Sequence, residues 1–328
     1  MPFATSAFKK KYQMLRSENP TRPATIDELL SSQLIAKVSQ LDVSSRKIFA
    51  GKLKGERRSK KRGESVEFAD HRPYAIGDDL RHIDWNIYGR LDRFFMKLFM
   101  EEEDLSLHIV IDASASSDCG DPNKFYYMQQ VAMALGYIGL VNLNRVAVTA
   151  IGLRDELVIP GGEKSIAGNI RDLRGRRRTH DLARFLCSIA PEGGTDFAQA
   201  CKRIAMTRRG KGVMIVLSDF FMKEGYETGL RLLVGRGYDV FAIQTLSPQE
   251  VNPDIAGDLQ LRDIEDNDMA EVTISAPLLK KYKENLSAYC EDLRNFCARR
   301  EISALTIQTD TPIDTLLLDY MRKRGLLR

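Results

Sequence analysis

The segment Asp112-Ala113-Ser114-Ala115-Ser116 places one carboxylate and two hydroxyls at alternate positions. It follows residues 105–111, an alternating and then fully apolar run that is typical of a buried strand. Ligands of open α/β sheets bind at the carboxyl ends of the strands, so a binding site is expected here. Carboxylate and hydroxyl oxygens are hard ligands, which suit Mg²⁺ or Mn²⁺ better than Zn²⁺.

Two further loops carry the same chemistry. Gly193-Gly194-Thr195-Asp196 precedes a predicted helix, and Ser218-Asp219 ends the apolar run 213–217. Mg²⁺ takes about six oxygen ligands and usually keeps several waters. Ser114, Ser116 and Thr195 could ligate the ion directly while Asp112 and Asp219 hold its waters, which leaves one position open for a partner's carboxylate. The alternative is purely structural, because Asp and Ser after a strand often form turns or helix caps.

Familiar catalytic motifs are missing from the sequence. It has no G-x-x-x-x-G-K-[ST] phosphate loop and no G-x-S-x-G nucleophile elbow. Ser114 stands where a phosphatase with Asp112 as its nucleophile would need a second carboxylate, and His108 lies within an apolar strand, as packed core histidines do. We therefore expect a protein that is not an enzyme. A magnesium-dependent phosphoester hydrolase using Asp112 or Asp219 is the alternative.

Strands and helices alternate from residue 104 onwards, which predicts a Rossmann-like, doubly wound, mostly parallel sheet with helices on both faces. The predicted strands are 105–112, 145–152, 213–218, 240–246 and 303–309, with 156–159 as a hairpin mate of 145–152. The predicted helices are 125–143, 181–190, 197–206, 229–234, 278–300 and 313–324. A β-hairpin insertion is expected near 257–276.

The length of 328 residues favours two parts. We expect an N-terminal helical and irregular extension at 1–103, with one amphipathic helix from Ile26 to Leu41, and a sheet domain at 104–328.

Five cysteines without a C-x-x-C pair argue against a zinc site or disulfides. No signal peptide is recognised, and the longest apolar run, 131–141, is too short to span a bilayer. A cytoplasmic protein is expected.

Basic residues cluster at 52–62, 171–178 and 208–211, although the net charge is only +4. These clusters are expected to be solvated, and binding of nucleic acid through them is the alternative. No aromatic residue interleaves with the basic ones of 52–62, which makes nucleic acid an unlikely partner.

The stretch from Glu67 to Trp85 is dense in charged and aromatic residues. Its arginines and aspartates predict a bidentate Arg–carboxylate network that pins a loop. A metal site using His71 and His82 is the less favoured alternative. The stretch resembles the signature of the DUF58 family in the residues Glu67-Phe68, Arg72-Pro73-Tyr74, Gly77-Asp78-Asp79-Leu80-Arg81 and Ile83-Asp84-Trp85.

The segment Asp112–Ser116, with Thr195 and Asp219, resembles the metal-ion-dependent adhesion site of von Willebrand factor A domains. Together the two resemblances cover roughly residues 45–310. They imply a von Willebrand A-like fold with Mg²⁺ bound by Asp112, Ser114, Ser116, Thr195 and Asp219. They also imply an adaptor that works with a MoxR-type AAA ATPase, or binds its client through an acidic residue, in chaperone-like or complex-assembly activity. Two features depart from many relatives: Ser117, followed by Asp118, stands where they have a methionine after the last serine, and the N-terminal membrane segments that many of them carry are not expected here.

Overall fold

The computed structural model describes residues 22–44, 68–76, 78–99, 105–153, 165–207, 212–255, 257–262 and 269–328. In chain order the strands are β1 (Phe68–Pro73), β2 (Phe95–Phe99), β3 (Ser106–Asp112), β4 (Arg145–Ile151), β5 (Ile166–Leu173), β6 (Gly212–Ser218), β7 (Asp239–Leu246), β8 (Gly257–Arg262), β9 (Met269–Ile274) and β10 (Ser303–Gln308). The helices are α1 (Ile26–Leu29), α2 (Ser32–Val38), α3 (Trp85–Leu91), α4 (Lys124–Val141), α5 (Thr179–Ser188), α6 (Phe197–Thr207), α7 (Glu227–Gly235), α8 (Pro248–Val251), α9 (Ala276–Ala298) and α10 (Ile313–Thr315).

A six-stranded sheet in the order β10-β7-β6-β3-β4-β5 forms the centre of the larger part of the chain. The first five of these strands are parallel, and β5 alone pairs antiparallel, with β4. A parallel sheet needs cover on both faces, and accordingly nearly every residue of the inner strands is buried. The prediction of a mixed α/β protein with a mostly parallel sheet flanked by helices is confirmed.

Alternation along the strands divides the core between the two faces of the sheet. Ile109 and Ile111 of β3 pack in one apolar cluster with α4 and α5, whereas Val110 packs in a second cluster with α6, α7 and α9. Successive side chains of a strand point to opposite faces, so one strand feeds both clusters. Helices therefore cover both faces, and β3 lies between β4 and β6 near the middle of the sheet.

The contacts divide the chain into two units, with one boundary at 104/105, next to the expected 103/104, and a second at 51/52 that was not expected. One unit joins Leu105–Arg328 to the described residues before Gly51, and the other lies within Lys52–Asp104. The reason is packing: Leu29, Leu30 and Val38 are buried in the same apolar cluster as α4. The second unit contains the antiparallel pair β1–β2, a 3₁₀ turn at Leu80–His82 and α3.

Local structure corrects several predicted elements. The single helix predicted from Ile26 to Leu41 is two short helices, because Leu30 is extended and the Ser31 side chain caps a new helix by accepting from the Leu34 amide at 3.3 Å. The predicted final helix 313–324 is present as a helical run over 313–323, in which the short α10 passes into a π-helix at Leu316–Met321. The antiparallel pair β8–β9 confirms the predicted hairpin.

Strand β5 is the partner of β4 and was not expected, because its side chains are mostly half-buried or exposed and give no apolar run. The mate predicted at 156–159 lies outside the described residues, as do the basic segments 52–62 and 208–211 and Gly77 of the signature stretch. Within the described ranges, none of the helices combines the length and the apolar character needed to cross a membrane.

Candidate functional site

Asp112 ends β3 and is only 2% exposed. Its Oδ1 accepts three hydrogen bonds, from the Ser114 amide at 3.1 Å, the Ser114 hydroxyl at 2.8 Å and the Thr195 hydroxyl at 3.3 Å. Its Oδ2 accepts a fourth, from the Ser218 hydroxyl at 2.7 Å. Hydroxyls from two loops and from the end of β6 therefore converge on one buried carboxylate, at the strand end where the sequence predicted a site.

The serines after Asp112 are arranged by a 3₁₀ turn at Ala115–Ser117. This turn brings the Oγ atoms of Ser114 and Ser116 within 3.0 Å of each other, and the Ser117 Oγ lies 3.4 Å from that of Ser114. Asp112 and Ser114 are buried, whereas Ser116 and Thr195 are half-buried. The cluster thus has a closed base at Asp112 and an accessible rim at Ser116 and Thr195.

The Gly193-Gly194-Thr195 loop is held against the end of β3 by main-chain hydrogen bonds. The Ala115 amide donates to the Gly193 carbonyl at 2.8 Å, and the Glu192 amide donates to the Ala113 carbonyl at 3.0 Å. Gly193 has φ +64°, and an added Cβ would collide with the Leu153 carbonyl oxygen. Only glycine fits this backbone, and that backbone places the Thr195 hydroxyl beside Asp112.

Asp219 carries a different set of contacts. Its Oδ2 accepts from the Lys124 ammonium at 2.6 Å, and its Oδ1 accepts from the Phe221 amide at 3.0 Å. Lys124 is fully buried and also donates to Glu250 Oε1 at 2.8 Å. Glu250 is itself positioned by a capping box with Ser247 at the start of α8. Asp219 therefore belongs to a buried ion cluster next to the hydroxyl cluster.

Sequence reasoning missed Lys124 and Glu250, and it named Ser218 only as the neighbour of Asp219. Lys124 left one signal, since it is the only charged residue in the 18-residue sequence of α4. A lone charge on a helix buried on nearly every side must be paired. Nothing in the sequence points to its partners, which lie 95 and 126 residues away.

The pKa values of Asp112 and Lys124 are both raised, for different reasons. Burial, together with the nearby charge of Asp219, raises the pKa of Asp112, although the hydrogen bonds from Ser218 and Ser114 oppose that rise. Burial by itself would lower the pKa of Lys124, but the attraction of Asp219, Cys119 and Glu250 outweighs it and raises that pKa. Among the described residues, no cationic side chain pairs with Asp112.

Other polar residues that the sequence singled out have partners outside the Asp112 cluster. The Asp118 carboxylate binds Arg22 at 3.0 Å and the Asn123 amide group at 3.0 Å, so its charge is already partnered. His108 is buried and shares a hydrogen bond of 2.8 Å with Thr149, as expected for a core histidine. His71 contacts Asp84 at 2.9 Å. No group of three or more His, Cys, Asp or Glu within the described ranges is arranged to hold a metal ion.

The signature stretch forms the Arg–carboxylate pairs that its sequence predicted. Arg72 makes a bidentate contact with Asp78 at 2.6 and 2.8 Å, and Arg81 pairs with Asp79 at 2.6 Å. The Asp78 side chain also accepts from the Ala75 amide at 2.9 Å, which ties the turn after β1 to the arginine. These pairs lie in the unit of residues 52–104.

Fold and site define a mixed α/β protein with an oxygen-rich cluster at the end of a central parallel strand. The chain belongs to the family described as "Protein of unknown function DUF58", whose profile matches residues 70–291. An uncharacterised protein of Mycobacterium bovis is 24% identical over 302 residues, covering 90% of this chain and 92% of that relative. An uncharacterised protein of Mycobacterium avium is 30% identical over 159 residues, covering 47% of this chain and 93% of its own.

Two solved structures are distantly similar. The conserved hypothetical protein BatB from Bacteroides thetaiotaomicron has a TM-score of 0.38 at 11% identity, covering 67% of this chain and 98% of its own. An aerotolerance-related membrane protein from Bacteroides fragilis has a TM-score of 0.40 at 12% identity, with the same coverage. At these TM-scores and sequence identities, the similarity does not indicate a function.

Proposed function

We propose that the strand-end cluster binds Mg²⁺ or Mn²⁺ and that the bound ion accepts a carboxylate from a partner protein. Ser114, Ser116 and Thr195 supply hydroxyl ligands, and Asp112 and Asp219 hold water ligands of the ion. The cation supplies one open coordination position and positive charge. In this proposal the protein is a non-enzymatic adaptor with a von Willebrand A-like fold, and its partner contact depends on the metal.

One observation carries the proposal: Asp112 is a buried carboxylate without a cationic partner among the described residues, although three hydroxyl groups surround it. Burying an unpaired carboxylate is costly, and a divalent cation would offset that cost. The donors are all oxygens, which is the ligand type that Mg²⁺ and Mn²⁺ prefer. Asp219 already has Lys124 as its counter-ion, so Asp112 is the acid that lacks one.

The identity of the partner rests on the resemblance to the adhesion-type site and to the DUF58 signature. On that basis we propose a MoxR-type AAA ATPase, or a client of such an ATPase, as the protein that donates the carboxylate. Coordination by one carboxylate fixes orientation, and the surrounding surface contributes most of the affinity. Chaperone-like or complex-assembly activity is the proposed outcome of that contact.

Metal binding is tested first, by thermal melting with and without Mg²⁺ or Mn²⁺. A ligand that binds only the folded state at 100 times its Kd stabilises by about 2.7 kcal/mol. At about 2–4 °C per kcal/mol for a domain of 150–250 residues, Tm should rise by about 5–11 °C. Thr195→Val removes one hydroxyl with little change in volume and should abolish most of the rise.

Thr207→Val is the matched control, because the Thr207 hydroxyl only donates to the Arg203 carbonyl at 2.8 Å in α6. It should keep the full cation-dependent rise. An equal rise in the Thr195→Val variant, or no rise with either cation, contradicts the metal site. For the partner, binding of purified MoxR-type ATPase is measured with Mg²⁺ and with EDTA. Binding that persists in EDTA and in Asp112→Ala contradicts coordination as the mechanism.

A further inference from the structure

An open cavity of about 450 Å³ lies between β5 and α5. The residues that line it come from β5, from a 3₁₀ turn at Arg176–Arg178 and from α5. Its volume falls within the range of about 300–1,000 Å³ that pockets for small ligands occupy. All of its lining residues belong to the unit that contains the sheet, and none of them belongs to the strand-end cluster.

Arginines from three elements converge on this cavity. Arg171 comes from β5, Arg178 from the 3₁₀ turn and Arg184 from α5. Asp181 is the one acidic residue among the described lining residues, and its carboxylate is bound to Arg178 at 2.8 Å. Arg171 and Arg184 have no ion-pair partner in the part of the chain that the structure describes. Two guanidinium groups are therefore open to a ligand.

The nearest further acid in the chain does not face the cavity. Asp172 has a φ of +55°, and the register of β5 against β4 is irregular between Ile170 and Leu173. Arg171 and Leu173 both line the cavity, whereas Asp172 between them does not. The lining side chains, with three arginines and one aspartate, thus carry a net charge of +2.

The other lining side chains are apolar or already hydrogen-bonded. Ile170, Leu173 and Phe185 supply the apolar part of the wall. The Phe185 ring packs against β5, since a Cβ added at Gly168 would lie only 3.3 Å from Phe185 Cε2. The Ser188 hydroxyl donates to the Phe185 carbonyl at 2.7 Å. A ligand therefore meets guanidinium donors next to an apolar wall.

The type of cation favours phosphate as the anion. Residues 166–190 contain six arginines and no lysine. A guanidinium group presents paired N–H donors that match the oxygens of phosphate or carboxylate, whereas an ammonium acts as a point charge. A phosphate monoester carries a charge of about −1.5 to −2 near pH 7, which balances the net +2 of the lining. A carboxylate would neutralise only half of it.

We propose that this cavity, hereafter the arginine cavity (Ile170, Arg171, Arg178, Arg184 and Phe185), binds a small organic phosphate monoester. The phosphate group binds Arg171 and Arg184, and the apolar group of the ester packs on Phe185 and Ile170. The site shares no residue with the strand-end cluster, so this inference does not depend on the proposed metal site.

A small molecule fits better than a nucleic-acid strand. Phe185 is the one aromatic residue among the described lining residues, and it is half-buried against β5. A single-stranded nucleic acid is held by several rings on which successive bases stack. The arginine cavity has room and apolar surface for one ligand instead.

Isothermal titration of the full-length protein with phenyl phosphate tests the proposal, in EDTA so that no divalent cation binds the phosphate. We expect saturable binding at one site, at least about tenfold tighter than that of benzoate or of inorganic phosphate. Arg184→Gln should weaken this binding at least about tenfold, because charge-assisted hydrogen bonds are lost. Asp181→Asn should strengthen it, because the variant removes the acidic lining residue and releases Arg178. A gain in affinity cannot result from misfolding.

Arg177→Gln is the matched control, because Arg177 is exposed in the same 3₁₀ turn but does not line the cavity. It removes the same charge from the same basic segment and should bind phenyl phosphate as the wild type does. Equal weakening in Arg177→Gln and Arg184→Gln would identify diffuse charge and overturn the proposal. The proposal also fails if phenyl phosphate shows no saturable binding, or if benzoate or inorganic phosphate binds as tightly. Binding of a 5′-phosphorylated oligonucleotide alone would likewise overturn it.

Discussion

Replacing Lys124 by methionine tests the buried ion cluster most directly. The Lys124 side chain is fully buried, and its ammonium lies 2.6 Å from Asp219 Oδ2 and 2.8 Å from Glu250 Oε1. Methionine keeps much of the volume but leaves both carboxylates without their cation. Removing one partner of a buried ion pair costs about 3–5 kcal/mol. At about 2–4 °C per kcal/mol, Tm should fall by about 6–20 °C.

The assay is thermal melting followed by far-ultraviolet circular dichroism, in EDTA so that no divalent cation contributes. Lys37→Met is the matched control, since Lys37 also lies 2.6 Å from a carboxylate, that of Asp314, but is 51% exposed. An exposed pair contributes about 0–1 kcal/mol, so this variant should lose at most about 4 °C. Equal losses in the two variants would refute the argument that burial decides the contribution of Lys124.

A second substitution separates charge from packing. Asp219→Asn in the Lys124→Met background removes one of the two uncompensated charges, so the double variant should be more stable than Lys124→Met alone. Asp219→Asn by itself leaves Lys124 paired with Glu250. If the double variant melts no higher than Lys124→Met, the loss comes from packing of the lysine stem rather than from unpaired charge.

Two further predictions concern the loop glycine and the helix cap. Gly193→Ala should destabilise more than Gly237→Ala: both glycines have positive φ, which costs alanine about 1–2 kcal/mol, but only at Gly193 does the added Cβ collide with backbone. Equal melting losses would contradict this. The hydrogen bond from His71 leads the contacts that lower the pKa of Asp84 from 3.8 to about 2. This carboxylate therefore stabilises the fold above pH 3.8, and the contribution disappears as pH falls to about 2. Trp85 emission should change across that window, and Asp84→Asn should remove the change.

Much of the fold was predictable because its inner strands are short apolar runs separated by amphipathic helices. The strand that ends at Asp112 was predicted from residue 105 and begins at Ser106. Strand β5 escaped prediction because it is an edge strand with largely exposed side chains, and no apolar run marks it. The break between α1 and α2 was not predicted, because the apolar residues keep their helical spacing through Leu30 although the backbone of Leu30 is extended.

The candidate site was predictable in its hydroxyls and not in its charge balance. Asp112, Ser114 and Ser116 are neighbours in the chain, and Thr195 follows two glycines, so residue type and spacing identified them. The structure joins these four through hydrogen bonds. Asp219 was predicted as an equal member, but its carboxylate is held by Lys124 and the Phe221 amide.

By itself, the sequence of this protein determined that an acid and two hydroxyls follow a buried strand, because apolar periodicity and residue spacing are local properties of the chain. Only the tertiary structure decided which acid has a counter-ion. Lys124 reaches Asp219 and Glu250 across 95 and 126 residues, and Asp112 is left with hydroxyl and amide donors. The physical reason is that the burial and pairing of these charges depend on contacts between segments that are far apart in the chain: the start of α4, the end of β6 and α8. Residue spacing within any one of these segments does not predict such contacts.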